Sequence, residues 1–363
     1  MMENKMRIAL VGYLGNGGAD RQIVMLSNEL ANKGHDVSLI VLAVNRNNYE
    51  ISKKVKIINI LDGEKRNILT LIKRFIKLKK TLVEIHPDVT ISYWLQPIYM
   101  MAMMQKRITG KIIYSERGDP ADTEYSGLMG LVRSVSFSKV DGFVFQTEEA
   151  KSYFDEKIQR KSAVIANSVS IPDGQFCTPA ICREKRIVNV GRLHSQKNQR
   201  LLIEAFSLIA AEFPDYTLEV YGVGPMQDEL ESYIDEKALQ GRIVLMGRKK
   251  NIFDYIYSAS LFVLSSDFEG MPNALMEAMA IGLPCISTDY KPGGARDLID
   301  NEVDGIIVPI NDVIALSEAM KELLLNHSKA EQLAKNAQQI RVRNSNDRIF
   351  GQWESYIFRV MNF

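Results

Sequence analysis

Two pairs of residues in the second half of the chain have the chemistry to hold a charged, hydroxyl-bearing ligand. Glu269 and Glu277 stand eight residues apart in Ser265–Pro284, which reads SSDFEGMPNALMEAMAIGLP. Arg192 and Lys197 stand five apart in Val190–Asn198, VGRLHSQKN. An arginine offers a planar fork of donors and a lysine a compact point charge, and both suit a diphosphate. Paired cations also neutralise a leaving diphosphate, which is work that a metal performs elsewhere. The run Ser260–Ser265 has the composition of a buried strand, and an apolar helix follows the acidic loop. Glu269 then falls in a loop at the carboxyl edge of a sheet, where ligands bind. Glu277 falls about two turns into the helix. Gly270 and Pro272 let backbone amides approach a hydroxyl or an anion. Met276, Ala278 and Met279 flank Glu277, and a carboxylate in such a setting needs a partner; a solvated helix glutamate is the plain alternative. For Arg192 and Lys197 the alternative is a pair of solvated surface charges.

Other loops follow strand-like runs. Tyr13–Arg21 (YLGNGGADR) opens a helix, and amides around Gly15, Gly17 and Gly18 would favour an anion there. A purely structural glycine turn is the competing reading. The dinucleotide pattern G-x-G-x-x-G is not met, because its last glycine would fall on Asp20, so a nicotinamide cofactor is disfavoured. Tyr221–Pro225 (YGVGP) is a further glycine turn. Met246–Ile252 (MGRKKNI), with Gly247 and Arg248, could hold a nucleobase through backbone atoms.

These loops need strands and helices behind them. At 363 residues, 46% hydrophobic and 25% charged, the chain has room for two globular domains. Strands are expected at Arg7–Val11, Val37–Leu42, Val55–Ile60, Val89–Tyr93, Lys111–Ser115, Gly142–Phe145 and Ala163–Ala166, with a helix over Ala19–Lys33. Residues 169–185, with Pro172, Gly174 and Pro179, read as a linker. The pattern restarts at Arg186–Val190, a helix over Gln199–Glu212, then Thr217–Tyr221, Arg242–Met246, Leu261–Leu264 and Cys285–Ser287. Such alternation predicts α/β architecture with parallel sheets. The expected domains are 1–168 and 186–345, with a helix at 346–363 packing back on the first and a ligand cleft between the two.

No signal peptide is expected, since Met6–Gly12 runs straight into the glycine loop, and no apolar run reaches the roughly 20 residues that span a bilayer. The three cysteines lack zinc-type spacing and the four histidines do not cluster, which fits a reducing compartment and no metal site. Residues 1–170 carry 25 Lys/Arg against 18 Asp/Glu, and the rest carry 20 against 26. Much of the excess lies in Lys65–Lys80, where seven basic residues interleave with Ile68, Leu69, Ile72, Phe75, Ile76 and Leu78. Helical spacing makes this a basic amphipathic helix, suited to an anionic membrane surface or to covering a core. Nucleic acid is disfavoured, because no aromatic-plus-basic groove pattern accompanies it.

GRLHSQKN, YGVGP, LMGRKKNI and SDFEGMPNALMEAMAIGLP, in this order, resemble the retaining glycosyltransferases of family 4, which have the GT-B fold. GNGGAD, Gly34–Val37 and Pro87–Val89 extend the likeness over nearly the whole chain. The resemblance implies two Rossmann-like doubly wound domains facing across a cleft. It implies that Arg192 and Lys197 bind the diphosphate of a UDP-sugar and that Glu277 bonds the ribose. Glu269, with the backbone of Gly270, Met271, Pro272 and Asn273, would contact the sugar, and the loop after Gly247 would receive the base. The Gly15–Gly18 loop would approach the phosphates, with no metal or cofactor required. Many relatives carry a first-domain histidine at a strand end, whereas this chain has Tyr93 and Trp94, and Glu116, Arg117 and Asp119, which stand as candidates for acceptor contacts. The expected reaction is transfer of a hexose or N-acetylhexosamine to a lipid-linked oligosaccharide in bacterial surface-polysaccharide assembly, at the cytoplasmic face of the plasma membrane. The Met-rich Tyr99–Met104 would join the basic helix at that surface. A UDP-sugar 2-epimerase and a sugar-nucleotide-binding module without transfer activity share the fold and are the alternatives.

Overall fold

The computed structural model describes residues 5–15, 17–43, 49–61, 67–121, 127–171 and 183–362. The chain divides into two compact units, Met1–Ser168 with Asp347–Phe363, and Val169–Asn346. Most of the expected linker lies outside the described residues.

The first unit has strands β1 (Arg7–Gly12), β2 (Asp36–Val41), β3 (Lys56–Asn59), β4 (Val89–Ser92), β5 (Lys111–Ser115), β6 (Gly142–Phe145) and β7 (Ser162–Val164). Among the described residues they form one seven-stranded parallel sheet, ordered β3-β2-β1-β4-β5-β6-β7. Alternate residues of β1 feed opposite faces. Ile8 and Leu10 join a core built by the helix Gly18–Asn32 and the C-terminal helix Asn346–Met361. Ala9 and Val11 join a second core under the helices Ile68–Ile85, Leu95–Ala102 and Gly127–Phe137. The C-terminal helix buries Phe350, Trp353, Tyr356, Ile357 and Val360 on this unit. Its Tyr356 Oη accepts from Phe143 N at 2.7 Å, and its Glu354 accepts from Lys33 Nζ at 2.6 Å and meets His35 Nε2 at 3.2 Å.

Two sequence expectations meet a different arrangement here. The basic helix begins at Ile68, capped by Asn67 Oδ1, which accepts from Thr70 N at 2.9 Å; Lys65 and Arg66 lie outside the described residues. It buries Leu78, Leu82 and Arg74, while Ile68 (73% exposed), Leu69, Ile72 and Ile76 face water. Only part of its apolar set therefore covers the core. The methionines behave oppositely: Met100 and Met101 are buried in the second core, because the helix Leu95–Ala102 turns them inward with Leu95 and Ile98. Of that stretch Met103 is the strongly exposed methionine.

The second unit has β8 (Glu184–Val190), β9 (Thr217–Tyr221), β10 (Ile243–Gly247), β11 (Ala259–Leu264), β12 (Cys285–Thr288) and β13 (Ile306–Val308). They form a six-stranded parallel sheet, ordered β10-β9-β8-β11-β12-β13, among the described residues. β13 is a three-residue strand that the sequence pattern leaves unmarked. One face is filled by Leu202, Phe206, Leu230, Leu316, Met320 and their neighbours. Each sheet reverses its strand order once, between β1 and β4 and between β8 and β11, and an open α/β sheet has its ligand crevice at that point. No described helix is long and apolar enough to cross a membrane.

Candidate functional site

In the second unit the crevice lies between the loops after β8 and β11, and the side chains there stitch the two loops together. After Val190 the chain makes a short 3-10 turn at Ser195–Lys197 and enters the helix Gln199–Ile209. His194 Nδ1 accepts from Gln196 N at 3.3 Å and caps the turn, so this histidine is structural. Asn198 takes a left-handed backbone (φ 42°) and caps the following helix through Leu201 N at 3.2 Å. Its amide donates to Asp267 Oδ1 at 2.7 Å and Asn311 Oδ1 at 2.9 Å. Asp267 N donates to Gln196 O at 2.9 Å, and Ser265 Oγ donates to Lys197 O at 2.9 Å.

This stitching brings Lys197 and Glu269 into contact. Glu269 is 8% exposed, and its Oε1 receives the Lys197 ammonium and Ser266 Oγ, the latter at 2.8 Å. Its Oε2 lies 3.5 Å from Gln196 Nε2, an amide that donates more closely to Phe268 O at 2.9 Å. A carboxylate this buried requires such partners. Arg192 is exposed on the β8 loop, its carbonyl held by Gln199 Nε2 at 3.0 Å. The two predicted cations therefore differ: one guanidinium open to water, one ammonium paired with a carboxylate.

Glu277 is buried (7% exposed) in the helix Asn273–Ala280 among Leu275, Met276, Ala278 and Met279, which excludes a solvated role. The turn Gly270–Asn273 packs against the loop after β12: a Cβ on Gly294 would lie 2.0 Å from Gly270 O. Tyr290, in that second loop, is 1% exposed, and its phenol oxygen is buried without a hydrogen-bond partner among the described residues. Burial pushes its pKa well up, and the negative charge of Glu269 adds to the rise. The glycine turn after β9 is tied as closely: a Cβ on Gly222 would meet Gly191 O at 1.8 Å, so only glycine fits. Gly222 N donates to Gly247 O at 3.0 Å, which brings the loop carrying the exposed Arg248 alongside.

In the first unit the edge is held differently. The Gly15 and Gly17 amides, expected to face an anion, donate to the carboxylate of Asp20, Gly17 N at 2.7 Å. Asp20, in the first turn of the helix, reaches back to the N-cap amide of Gly17, and burial raises its pKa while the two amides oppose the rise. Gly18 starts that helix. Tyr93 is buried with the Arg117 guanidinium 3.9 Å above its ring, and Trp353 of the C-terminal helix lies 5.6 Å from the same group. Arg117 Nη1 donates to Asn167 Oδ1 at 2.8 Å, and burial lowers its pKa. Glu116, also buried, accepts from Tyr114 Oη at 2.8 Å and from the amides of Arg117 and Gly118 at 3.0 and 3.1 Å. Asp119 accepts from Ala121 N at 2.9 Å, and Trp94 is half-buried. Tyr93 and Glu116 thus face inward with partners of their own unit.

Residues that sequence reasoning passed over hold this geometry: Ser266, Gln196 and Asn198 in the second unit, Asp20 and Asn167 in the first. The two glycines before Asp20 were a readable signal for its cap. Nothing local marks Ser266 among the serines of SSDFEG.

Two doubly wound parallel sheets define the class, and the comparisons sharpen it. Residues 179–340 match the family model described as Glycosyl transferases group 1. A Campylobacter jejuni alpha-1,4-N-acetyl-D-galactosaminyltransferase, named for a diNAcBac-PP-undecaprenol-linked acceptor, is 26% identical over 335 residues, 91% of this chain and 92% of its own. The solved sucrose-phosphate synthase of Thermosynechococcus elongatus superposes with a TM-score of 0.85 at 18% identity, over 99% of this chain and 100% of its own. Anabaena HepE in complex with UDP gives 0.78 at 17%, over 98% and 100%. The protein is a glycosyltransferase with the GT-B fold, and its second unit carries the group 1 domain.

Proposed function

We propose that the protein is a retaining, metal-independent family 4 enzyme that moves a hexose or N-acetylhexosamine from a UDP-sugar to a lipid-linked oligosaccharide in bacterial surface-glycan assembly. The observation that carries this reading is the Lys197–Glu269 contact at the β8/β11 reversal, with exposed Arg192 on the same loop. A diphosphate entering there meets two cations, and the sugar beyond it meets a carboxylate that accepts from its hydroxyls. In the proposed reaction the acceptor hydroxyl oxygen bonds to the anomeric carbon from the face the diphosphate leaves. The bond from that carbon to the phosphate oxygen breaks, and this oxygen takes the acceptor proton. Arg192 and Lys197 stabilise the charge that develops on the diphosphate, the role that a metal fills in other transferases. Glu277 holds the ribose, and the loop of Gly247 and Arg248 receives the uracil.

The lipid-linked acceptor is supported by the Campylobacter relative's name. Docking on the inner face of the plasma membrane is supported by the helix Ile68–Ile85, whose exposed Ile68, Leu69, Ile72 and Ile76 accompany exposed Lys73, Lys77, Lys79 and Lys80. Leu128, Leu131 and Val135, exposed at helical spacing on Gly127–Phe137, belong to the same layer of helices.

Calorimetry with UDP, GDP, ADP and a set of UDP-sugars, all in EDTA, tests the reading. Saturable UDP binding in EDTA is the expected result, and no nucleotide binding at all overturns it. UDP-N-acetylglucosamine incubated alone with the protein should stay unchanged; its conversion to the 2-epimer would replace transfer with epimerisation.

A further inference from the structure

A carboxylate that recognises a sugar hydroxyl has to present one oxygen in a fixed direction, and Lys197 cannot provide that fixity. Its ammonium is a mobile point charge on a flexible stem, and with a UDP-sugar bound it also serves the diphosphate. Glu269 Oε1 has a second donor, Ser266 Oγ at 2.8 Å. Ser266 is wholly buried, and its carbonyl accepts from Thr288 Oγ1 at 2.6 Å, which ties it to β12. The backbone that carries its hydroxyl is therefore held by the sheet. Among the described residues Glu269 Oε2 has only the long approach of Gln196 Nε2 at 3.5 Å. Tyr290, buried near the same loop, does not share the task, since its phenol has no hydrogen-bond partner among the described residues.

We infer that Ser266 is a positioning residue for the sugar half of the donor, a role that rests on the proposed binding of a UDP-sugar at this edge. It anchors Oε1 of Glu269 when the Lys197 ammonium turns to the diphosphate, and it leaves Oε2 aimed at a sugar hydroxyl. Ser266 then governs the margin by which a UDP-sugar binds more tightly than UDP, and it leaves UDP itself to Arg192 and Lys197.

Calorimetry with UDP, UDP-glucose, UDP-galactose and UDP-N-acetylgalactosamine on the full chain tests this, with melting temperatures recorded alongside. Ser266→Ala should bind UDP as the parent does and lose about tenfold of the UDP-sugar margin, the loss of one hydrogen bond to a charged group. Ser266→Thr, which keeps the hydroxyl, should restore the margin. Ser287→Ala removes another buried hydroxyl, one that bonds the Thr288 carbonyl at 3.1 Å, and should keep the margin. An unchanged margin in Ser266→Ala overturns the inference. So does equal weakening of UDP and UDP-sugar with a lowered melting temperature, which would mark a packing role. A parent protein that binds no UDP fails before any variant is compared, and that result sinks the donor reading and this inference together.

Discussion

The carboxyl edges of the two sheets are both polar, yet their charges are held in opposite ways. At the second edge Arg192 and Arg248 stand in water, and Lys197 and Glu269 pair with each other at the strand-order reversal. At the first, Glu116 is saturated by a tyrosine hydroxyl and two amides, and Arg117 lies between Tyr93, Trp353 and Asn167. Even the glycine-loop amides there are taken by Asp20. An edge built to receive an anionic ligand keeps cations that can change partner. At the first edge Glu116 and the Arg117 guanidinium are enclosed by groups of their own unit, with Arg117 Nε and Nη2 lacking a hydrogen-bond partner among the described residues. In the first unit four exposed lysines, Lys73, Lys77, Lys79 and Lys80, sit on the helix Ile68–Ile85.

The largest effect is expected where the contrast is sharpest. Lys197→Ala should lower turnover of the donor by about 10²–10³-fold, the usual cost of removing one group that stabilises developing charge. It should also lower the melting temperature, because Glu269 is then buried without its cation. Lys197→Ala combined with Glu269→Gln should recover the melting temperature and leave turnover low. If Lys197→Ala turns over as well as the parent, the second edge is no more receptive than the first, and the comparison collapses.

A smaller effect tests where the first unit meets its surroundings. Reversing Lys73, Lys77, Lys79 and Lys80 to Glu should weaken binding to anionic vesicles by up to about 1 kcal/mol per residue, with little change for neutral vesicles. Arg74 is left out of that set because the fold buries it. Vesicle binding that ignores the reversal would mean that this helix is an ordinary surface helix, and that the first unit engages its partner elsewhere.

The difference between the two edges also explains what the sequence made legible. In the second unit each candidate loop follows directly on its strand, so GRLHSQKN and SDFEGMPN announce their place at the carboxyl edge, and the spacing of their cations and glutamates is local. Element bounds came within a few residues for most strands, because continuous apolar runs mark buried parallel strands. The Lys197–Glu269 contact was less legible, since it depends on Asn198 and Asp267 drawing two loops together across the sheet. At the first edge the deciding residues come from far along the chain: Arg117 is fixed by Tyr93, by Asn167 and by Trp353 of the last helix. No short spacing encodes that convergence, so Glu116 and Arg117 read as available groups. β13 was missed for the opposite reason, as three residues give too short a pattern to count.

If the C-terminal helix is what closes the first edge, weakening its attachment should be visible at a site remote from Arg117. Glu354 fastens that helix through Lys33 and His35. Burial pushes the Glu354 pKa up, but hydrogen bonds from Lys33 and His35 outweigh it and hold the carboxyl below its ordinary 4.5. A carboxyl depressed in the folded state adds stability above its unfolded pKa, and that stability is lost as the pH falls through the folded value. Parent and Glu354→Gln should therefore differ by about 1 kcal/mol near neutral pH, a modest figure because Lys33 keeps partial access to water. Denaturant titrations across the acid range should show the two curves converging once the pH drops below 4.5. A gap that stays constant down to the acid limit would assign the loss to packing and not to the charge. A gap of zero at neutral pH would mean that Trp353 and Tyr356 hold the helix without the ion pair. In that case the closure of the first edge is an apolar property, and acidification should leave the Arg117 cage intact.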